Sequence, residues 1–220
     1  MRERVIRDEI HKDILVPPSH AKIIDTMEFQ RLRSIQQLST CEYVFPAANH
    51  NRFSHSLGAY HLARILTQLL QDAQPGIIDD DDAELVQLAA LLHDIGHPPY
   101  SHLLETPKVF ATFHSHEHWG RLLLESKDTE IGGVIKSVLG AQRLGRLFAL
   151  MDGKEEFQGI PIPPFMKEIV SSQLDVDRMD YLVRDQANTG AQIGGFDIAR
   201  VFRALRVGEN GHFHVKTWGL

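Results

Sequence analysis

A histidine and an aspartate follow each other at the end of an apolar helical run. The run over residues 84–92 predicts a buried helix, and it ends at His93-Asp94. A glycine and two prolines then turn the chain towards His97 and His102. Imidazole and carboxylate groups bind metal ions, and imidazole transfers protons near neutral pH. The stretch therefore predicts a metal site or an acid–base site.

A metal site needs more ligands than one His-Asp pair can supply. His55 lies upstream at the start of a predicted helix, and Asp177 lies on a later one. Two imidazoles and two carboxylates suit Fe, Mn or Zn, and less readily Mg. Asp175 and Asp180 are rival carboxylates on the later helix, where capping or pairing with arginine is their alternative role. Spacing alone leaves this choice open.

Composition limits the class of protein. The 220 residues are 43% hydrophobic and 24% charged, with a net charge of −6, which does not favour nucleic acid as a partner. The single Cys41 excludes an internal disulfide framework. No stretch has the roughly 18 apolar residues of a membrane span, and the charged start lacks a signal peptide's apolar segment. We therefore expect a cytoplasmic protein without membrane contact.

Apolar residues recur at helical spacing along most of the chain, which predicts a mainly α-helical domain. The four aspartates at 79–82 precede one helix, where capping explains them better than metal binding. The predicted helices begin at Ser19 and then cover residues 26–38, 54–71, 83–94, 100–105, 115–126, 128–138, 140–150, 164–172, 174–189 and 197–205.

Three parts are expected along the chain. Residues 1–18 read as an extended lead-in, and residues 19–205 as one domain. In the tail, alternating apolar residues flank Gly208-Glu-Asn-Gly211, which predicts a small β-hairpin over 206–220. Since an isolated hairpin is only marginally stable, we expect it to begin a further C-terminal region or to be covered by a partner.

Five segments occur in an order that is distinctive of one family: 24–38, 43–58, 91–102, 116–117 and 175–185. They include Leu91-Leu-His-Asp-Ile-Gly-His-Pro-Pro-Tyr-Ser-His102 and Asp175-Val-Asp-Arg-Met-Asp-Tyr-Leu-Val-Arg-Asp185. Together they resemble the HD-domain metal-dependent phosphohydrolases with their H…HD…D signature. Within that family they resemble the deoxynucleoside triphosphate (dNTP) triphosphohydrolases, in particular the branch that carries sterile-alpha-motif and HD domains.

This resemblance implies a fold, a reaction and a metal site. The fold would be an all-α HD-domain bundle with the small C-terminal hairpin. The enzyme would hydrolyse dNTPs to deoxynucleoside and inorganic triphosphate, with one divalent ion (Fe, Mn, Zn or Mg) per site, and would be a homo-oligomer. The matching metal ligands are His55, His93, Asp94 and Asp177.

The resemblance also implies catalytic residues, substrate contacts and a regulatory pocket. The catalytic residues would be His97, His102, His116 and Glu105, where Glu105 replaces the aspartate usual in the family. The substrate contacts would be Gln37, Tyr181 and Asp185 to the sugar, Leu38 beneath the base, and Arg52 and Arg178 to phosphate. A regulatory guanine nucleotide would contact Asp25, Gln30 and Arg33.

Several alternatives stay open. Arg52 and Arg178 could form surface ion pairs, Leu38 could be a core residue, and Asp25 and Arg33 could be ordinary exposed residues. The whole protein could be an HD-type phosphomonoesterase or phosphodiesterase, which would share the metal ligands. It could also be a nucleotide-sensing or nucleic-acid-binding module with weak or no catalysis, with nucleic acid as the weakest candidate partner.

Overall fold

The chain begins with a β-hairpin in a computed structural model that describes residues 2–105, 114–192 and 195–216. Strands β1 (Arg4–Asp8) and β2 (Lys12–Val16) pair antiparallel. The Asp8 carboxylate accepts two backbone hydrogen bonds within the turn, and Lys12 adopts a positive φ of 66°. Ile14 and Val16 are fully buried. The predicted lead-in is thus a hairpin packed on the core.

Nine α-helices lie within the described ranges, which confirms the prediction of a mainly helical fold. They are α1 (Pro18–Ile24), α2 (Met27–Gln30), α3 (Arg52–Ala73), α4 (Asp80–Leu92), α5 (His116–Glu125), α6 (Glu130–Met151), α7 (Pro164–Val170), α8 (Val176–Thr189) and α9 (Ile198–Ala204). Short 3₁₀ helices cover Arg31–Ser34, Cys41–Tyr43 and Ser101–Leu104.

Helix α3 lies at the centre of the bundle and packs against both α4 and α8. Helix α4 is buried almost all round, and it also contacts α6 and α7. Leucine dominates its apolar surface, and the burial of each such side chain contributes about 1.5–3 kcal/mol. The C-terminal end of α4 is therefore held firmly within the core, and the His-Asp pair follows directly.

The aspartates ahead of α4 cap the helix, as the sequence predicted. Asp79 is the N-cap, and its side chain accepts a hydrogen bond from the backbone N–H of Asp82. Asp82 in turn pairs with Arg146 of α6. Among the residues that the structure describes, these aspartates belong to no group with metal-binding geometry.

The helix predicted over 26–38 was wrong in its second half. Helix α2 passes into the 3₁₀ turn, and the chain is extended from Ile35. Backbone pairing with the segment before α3 explains the change, since Arg52 N donates to Ile35 O at 2.9 Å and Gln37 N donates to His50 O at 3.0 Å. These bonds replace helical ones and bring 35–37 beside the start of α3.

The helices expected at 128–138 and 140–150 correspond to the two halves of α6, which are separated at Gly140, where the backbone is not helical (φ 71°, ψ 170°). One other predicted element differs from the structure. The helix expected over 100–105 is the 3₁₀ turn Ser101–Leu104.

The tail forms the predicted hairpin from β5 (Leu205–Val207) and β6 (Phe213–Val215). A further two-residue pair, β3 (Glu156–Phe157) with β4 (Ile160–Pro161), lies between α6 and α7. Residues 217–220 of the predicted hairpin segment lie outside the described residues. None of the described helices is long and apolar enough to cross a membrane.

Candidate metal-binding active site

The ends of three helices bring four side chains together. His55 lies in the first turn of α3, after the N-cap Asn51, and Asp177 lies in the first turn of α8. His93 and Asp94 directly follow α4. The Oδ1 atom of Asp177 is 2.9 Å from Nε2 of His55 and 3.5 Å from Nε2 of His93. Oxygens of Asp94 lie 3.6 and 3.4 Å from the same two nitrogens.

Both imidazoles of this group direct Nε2 towards its centre. Nδ1 of His55 contacts Oδ2 of Asp180 at 2.8 Å, and Nδ1 of His93 contacts the backbone oxygen of Ala90 at 2.8 Å. These partners accept a hydrogen bond from Nδ1–H, so Nε2 is the nitrogen that each imidazole can offer to an ion. Both Nε2 atoms are buried without a hydrogen-bond partner among the described residues, because the Asp177 oxygen, though near, is not aligned.

The group fits a divalent cation. Ligands about 2.1 Å from one ion are separated by about 3–3.5 Å, close to the distances between these atoms. The set of two imidazole nitrogens and carboxylate oxygens suits Fe, Mn or Zn. His55, His93 and Asp177 also form a group that could hold a metal ion on geometry alone. The residues therefore match a mononuclear site with the HD pair at its centre.

The pKa values of the two histidines show that the group favours bound positive charge. Burial opposes protonation of His55, but its contacts with Asp177 and Asp180 outweigh burial and raise its pKa to about 10. Burial likewise opposes protonation of His93, but Asp94 and Asp177 raise its pKa to about 9. A proton and a metal ion compete for the same Nε2 atoms, so metal binding there would release protons.

The two rival carboxylates have other roles. Asp175 is the N-cap of α8 and accepts hydrogen bonds from the backbone N–H groups of Ser172 and Arg178, both at 2.7 Å. Asp180 is fully buried behind His55 and pairs with Arg184. Of the three aspartates, Asp177 is the one that lies at the Nε2 atoms.

Arg52 is buried at the metal-ligand group and does not form a surface ion pair. Its side chain is 4% exposed, and its guanidinium pairs with Oδ2 of Asp94 and donates to Oγ of Ser101 at 2.9 Å. Such burial of a guanidinium is costly without charged partners, and the Asp94 carboxylate offsets that cost. A permanent positive charge therefore lies directly beside a candidate metal ligand.

A second cluster, His97, His102, Glu105 and His116, lies next to the metal-ligand group. Its carboxylate holds two imidazoles: Glu105 lies 2.9 Å from Nδ1 of His102 and 3.0 Å from Nδ1 of His116. Burial works against its ionised form, but the hydrogen bond with His102, followed by the contact with His116, outweighs burial and lowers the pKa of Glu105. Glu105 therefore orients two histidines despite its longer side chain.

The histidines of this second cluster differ in environment. Burial lowers the pKa of His97 to about 4, against the opposing contact with Asp94, so this imidazole is neutral at physiological pH. The His102 side chain is 69% exposed and can exchange protons with a substrate or with water. The rings of His97 and His116 stack with centroids 3.8 Å apart.

Gly96 and Arg31 fix the turn that carries this cluster. A Cβ atom on Gly96 would lie 2.1 Å from the backbone oxygen of His116, so only glycine permits this approach of α5. Arg31 donates to the backbone oxygens of Ile95 and His97 at 2.7 and 2.8 Å. The sequence signalled the glycine, whereas Arg31 was missed because its partners are 64 and 66 residues away.

Two of the predicted sugar contacts, Gln37 and Asp185, lie near the start of α3. Gln37 is joined through its backbone to His50, whose Nε2 contacts Asp185 of α8 at 2.9 Å. The side-chain oxygen of Gln37 is buried and has no hydrogen-bond partner among the described residues. Leu38 is only partly buried, so it is not a core residue. His50 was missed by sequence reasoning because no motif marks it.

Two predicted contacts lie on the exposed side of α8. Arg178 donates to the backbone oxygen of Ser172 at 2.9 Å, and its guanidinium lies 3.5 Å from the Tyr181 hydroxyl. The Arg178 side chain remains 45% exposed. It can therefore reorient towards an anion near Asp177.

The three residues predicted for regulation lie apart from both clusters. Asp25 accepts two hydrogen bonds from the guanidinium of Arg4 in β1, at 2.5 and 2.7 Å. Gln30 bridges the backbone oxygen of Ile24 and the Arg33 guanidinium, which lies over the Phe53 ring. Of the three, Asp25 lines a surface pocket together with Arg2, Arg4 and Lys22, and Gln30 and Arg33 are not among its lining residues.

A cavity of about 250 Å³ opens directly beside the metal-ligand group. Its polar lining includes His93, Asp177 and His116, and it continues through Glu117, Arg121, Asp152 and Ser171. Leu124, Phe148, Met151 and Val170 form an apolar wall between α5, α6 and α7. The group is thus accessible to a small molecule rather than sealed in the core, as a reactive centre requires.

Comparison with known proteins identifies the family. The sequence profile described as "HD domain" matches residues 52–185, which include His55, the HD pair and Asp177. The chain belongs to the HD domain family. Membership confirms the predicted family of HD-domain metal-dependent phosphohydrolases.

Several relatives of this HD domain are known by sequence. The chain is 38% identical over 231 residues to the human deoxynucleoside triphosphate triphosphohydrolase SAMHD1, covering 94% of this chain and 36% of that protein. It is 38% identical over 207 residues to the uncharacterized protein MJ1154 of Methanocaldococcus jannaschii, and the match covers 94% of this chain and 39% of that protein. The chain thus spans about two-fifths of these relatives.

Solved structures share the fold of this HD domain. A hypothetical protein from Aquifex aeolicus superposes with a TM-score of 0.80 at 35% identity, covering 97% of this chain and 53% of that one. A phosphohydrolase from Bacteroides thetaiotaomicron superposes with a TM-score of 0.81 at 32% identity, and the match covers 97% of this chain and 49% of that one.

Proposed function

We propose that the protein is a metal-dependent dNTP triphosphohydrolase, which releases deoxynucleoside and inorganic triphosphate. The buried, unpartnered side-chain oxygen of Gln37 is the observation that favours a nucleoside substrate over other phosphate esters. An acceptor left unpaired in a protein interior costs about 1–3 kcal/mol, and a sugar hydroxyl that donates to it would recover that cost. The likeness to the human triphosphohydrolase over 94% of the chain supports the same substrate class.

His55, His93, Asp94 and Asp177 would hold the divalent ion. An ion there would supply Lewis-acid polarisation of the attacked phosphate and would make water a stronger nucleophile at neutral pH. The surrounding protein keeps the ligands ready, since Asp180 and the backbone at Ala90 hold the two imidazoles in the required tautomer.

The arginines neutralise the charge of the triphosphate. Arg52 lies at the metal-ligand group and can place a guanidinium against an oxygen of the reacting phosphate. Arg178 is half-exposed near Asp177 and can reach the phosphates of the triphosphate that lie farther from the reacting one. His97 is neutral at physiological pH and its Nε2 lies 3.2 Å from Oδ1 of Asp94, so it supports that carboxylate without adding charge to the site.

His102 supplies the proton that the leaving deoxynucleoside needs. Glu105 accepts the hydrogen bond from its Nδ1, so the protonated ring keeps Nε2–H available for the departing 5′ oxygen. The exposure of His102 allows water to restore the proton after each turnover. His116 shares Glu105 and lies beside His102, so it supports the same hydrogen-bonded arrangement.

A regulatory nucleotide and a homo-oligomer are further parts of this proposal. Three basic residues, Arg2, Arg4 and Lys22, line the pocket that contains Asp25. Basic side chains suit phosphates, and a carboxylate suits the N–H groups of a guanine edge. The homo-oligomer follows from the family resemblance, and light scattering with and without GTP would measure it.

Product analysis tests the proposed reaction. Metal-loaded protein is incubated with each dNTP, and the products are resolved by chromatography, with His93→Ala as the control without metal binding. We expect deoxynucleoside plus triphosphate from the wild type and no turnover from His93→Ala. Release of orthophosphate would indicate a phosphomonoesterase instead. Binding of dNTP without any turnover would indicate a nucleotide-sensing module.

A further inference from the structure

The tip of the N-terminal hairpin reaches the back of the metal-ligand group. His11, in the turn between β1 and β2, places its Nε2 atom 2.7 Å from Oδ1 of Asp180. The other oxygen of the same carboxylate is 2.8 Å from Nδ1 of His55. A continuous hydrogen-bonded chain therefore joins His11, Asp180 and His55, although residue 11 is 169 positions from residue 180.

The Asp180 carboxylate is saturated with donors. Arg184 donates to both of its oxygens, from Nη2 and Nε, each at 2.9 Å. With His11 and His55, four donors serve the four lone-pair sites of a carboxylate. Asp180 is fully buried, so in the folded protein its four donors are protein side-chain groups. Removal of His11 would take one donor from Oδ1 and weaken the hold on the carboxylate that orients His55.

The hairpin holds His11 in place from two directions. The Asp8 carboxylate accepts hydrogen bonds from the backbone N–H groups of Ile10 and His11, at 2.9 and 2.8 Å. Arg184 reaches the same carboxylate at 3.0 Å. The His11 side chain is only 8% exposed. The guanidinium that fixes Asp180 therefore also fixes the turn that presents His11.

We propose that His11 is a positioning residue of the metal centre, because it holds the Asp180 carboxylate that orients His55. This inference rests on the part of the proposed function in which the four-residue group binds a divalent ion. It does not depend on the substrate. The N-terminal hairpin thereby becomes part of the active site, although none of its residues touches the metal-ligand group directly.

Cobalt binding measures this role without substrate. Metal-free protein is titrated with Co²⁺, and the visible absorption of the ion gives both its affinity and its ligand geometry. The variants are His11→Ala, His11→Gln and Arg7→Ala. The glutamine amide reaches as far as Nε2 of histidine and can donate to Asp180. Arg7→Ala is the matched control, because Arg7 lies in the same hairpin and only forms an exposed pair with Asp13.

We expect His11→Ala to bind Co²⁺ about 10- to 100-fold more weakly, as is usual when a residue that orients a metal ligand is removed. We expect His11→Gln to recover most of the affinity and the spectrum, and Arg7→Ala to match the wild type. Thermal unfolding of each metal-free variant shows which temperatures keep all four proteins folded for the titration.

Three results would overturn the inference. His11→Ala could bind Co²⁺ as tightly as Arg7→Ala. His11→Gln could stay as weak as His11→Ala while fully folded, which would exclude the hydrogen bond as the cause. The wild type could bind no Co²⁺, which would also remove the metal centre from the proposed function. If instead Co²⁺ binds as expected but no dNTP is hydrolysed, only the proposed substrate fails and the role of His11 stands.

Discussion

At the scale of single residues, the hydrogen bonds at Nδ1 decide what His55 and His93 can do. Each imidazole forms a hydrogen bond within the protein through Nδ1, so its Nε2 can bind an ion. The sequence predicted both residues as ligands from the family motif. It could not predict their tautomers, because the partners of Nδ1 are a backbone oxygen three residues away and a carboxylate 125 residues away.

Glu105 is the residue at which this chain departs from the family pattern. Its two oxygens serve His102 and His116, and one of them also accepts the backbone N–H of His116 at 2.7 Å. The additional methylene of glutamate therefore lets one carboxylate reach both imidazoles. Sequence reasoning identified the substitution, whereas the bridging arrangement depends on how α5 packs against the turn after α4.

Replacement of Glu105 tests this arrangement. We expect Glu105→Gln to lower kcat by about 10²-fold with little change in KM, because His102 loses the charged acceptor that orients its ring. Glu105→Asp is the control that keeps the charge but shortens the reach, and we expect an intermediate kcat. Steady-state kinetics with a dNTP measures both. An unchanged kcat in Glu105→Gln would remove Glu105 from the catalytic cluster.

At the scale of elements, the approach of α3 to α8 sets the position of the metal ligands. Gly58 makes this approach possible, since a Cβ atom there would lie 1.8 Å from Oδ1 of Asp180 and 2.6 Å from Nη2 of Arg184. His55 and Asp177 lie one turn away from this contact on their respective helices. The sequence shows only a glycine within a helical pattern, which on its own does not indicate a packing partner.

Gly58→Ala tests the contact between α3 and α8. We expect it to lower the free energy of unfolding by about 2–4 kcal/mol, because the methyl group overlaps a buried, fully bonded carboxylate. Gly133→Ala in α6 is the matched control, since a Cβ atom there meets nothing within 4 Å. That variant should gain about 0.5–1 kcal/mol from helix propensity. Urea denaturation measures both, and equal stability of the two variants would contradict the account.

The Glu84 side chain connects three helices, and we expect its protonation to lower the free energy of unfolding. It lies on α4 and contacts His20 of α1 and Arg143 of α6. Its hydrogen bond with His20, and secondly that with Arg143, overcome burial and lower its pKa from 4.5 to about 2. Because the folded-state pKa is lowered, this stabilisation is complete above about pH 4.5 and disappears as the pH falls towards 2.

The pH dependence of unfolding tests this link. We expect the wild type to exceed Glu84→Gln by about 1 kcal/mol at pH 6, with solvent screening of a partly exposed carboxylate taken into account. The difference should shrink between pH 4.5 and 2. Glu156→Gln, an exposed site on β3, serves as the control and should not change the profile. A difference that stays constant down to pH 2 would show that Glu84 does not link the helices through its charge.

The parts of the fold that could be predicted from the sequence are those with local causes. The apolar period of α4, its capping aspartates and the turn signals of the C-terminal hairpin all lie within a few residues of the element they define. The extended segment from Ile35 could not be predicted, because it depends on backbone bonds to residues before α3. The break at Gly140, by contrast, has a local cause and lies where the sequence placed the boundary between two helices.

At the scale of the whole molecule, the site is assembled from both ends of the chain. Asp8 and His11 of the N-terminal hairpin meet Asp180 and Arg184 of α8 behind the metal-ligand group. A saturated buried network of this kind stabilises the fold only while every member is present. Sequence reasoning assigned the first residues to a separate lead-in because their partners lie more than 160 positions away.

Metal content is the most direct test of the central claim that His55, His93, Asp94 and Asp177 form one metal centre. Protein purified without chelator is examined by elemental analysis, together with Asp177→Ala and Asp175→Asn. The latter is the control on the same helix, since the amide oxygen of asparagine can still accept the N-cap bond from the backbone N–H of Arg178, although the bond from Ser172 is lost. We predict about one equivalent of a divalent ion in the wild type and in Asp175→Asn, and almost none in Asp177→Ala. A wild type without metal, or Asp177→Ala with a full equivalent, would contradict the account.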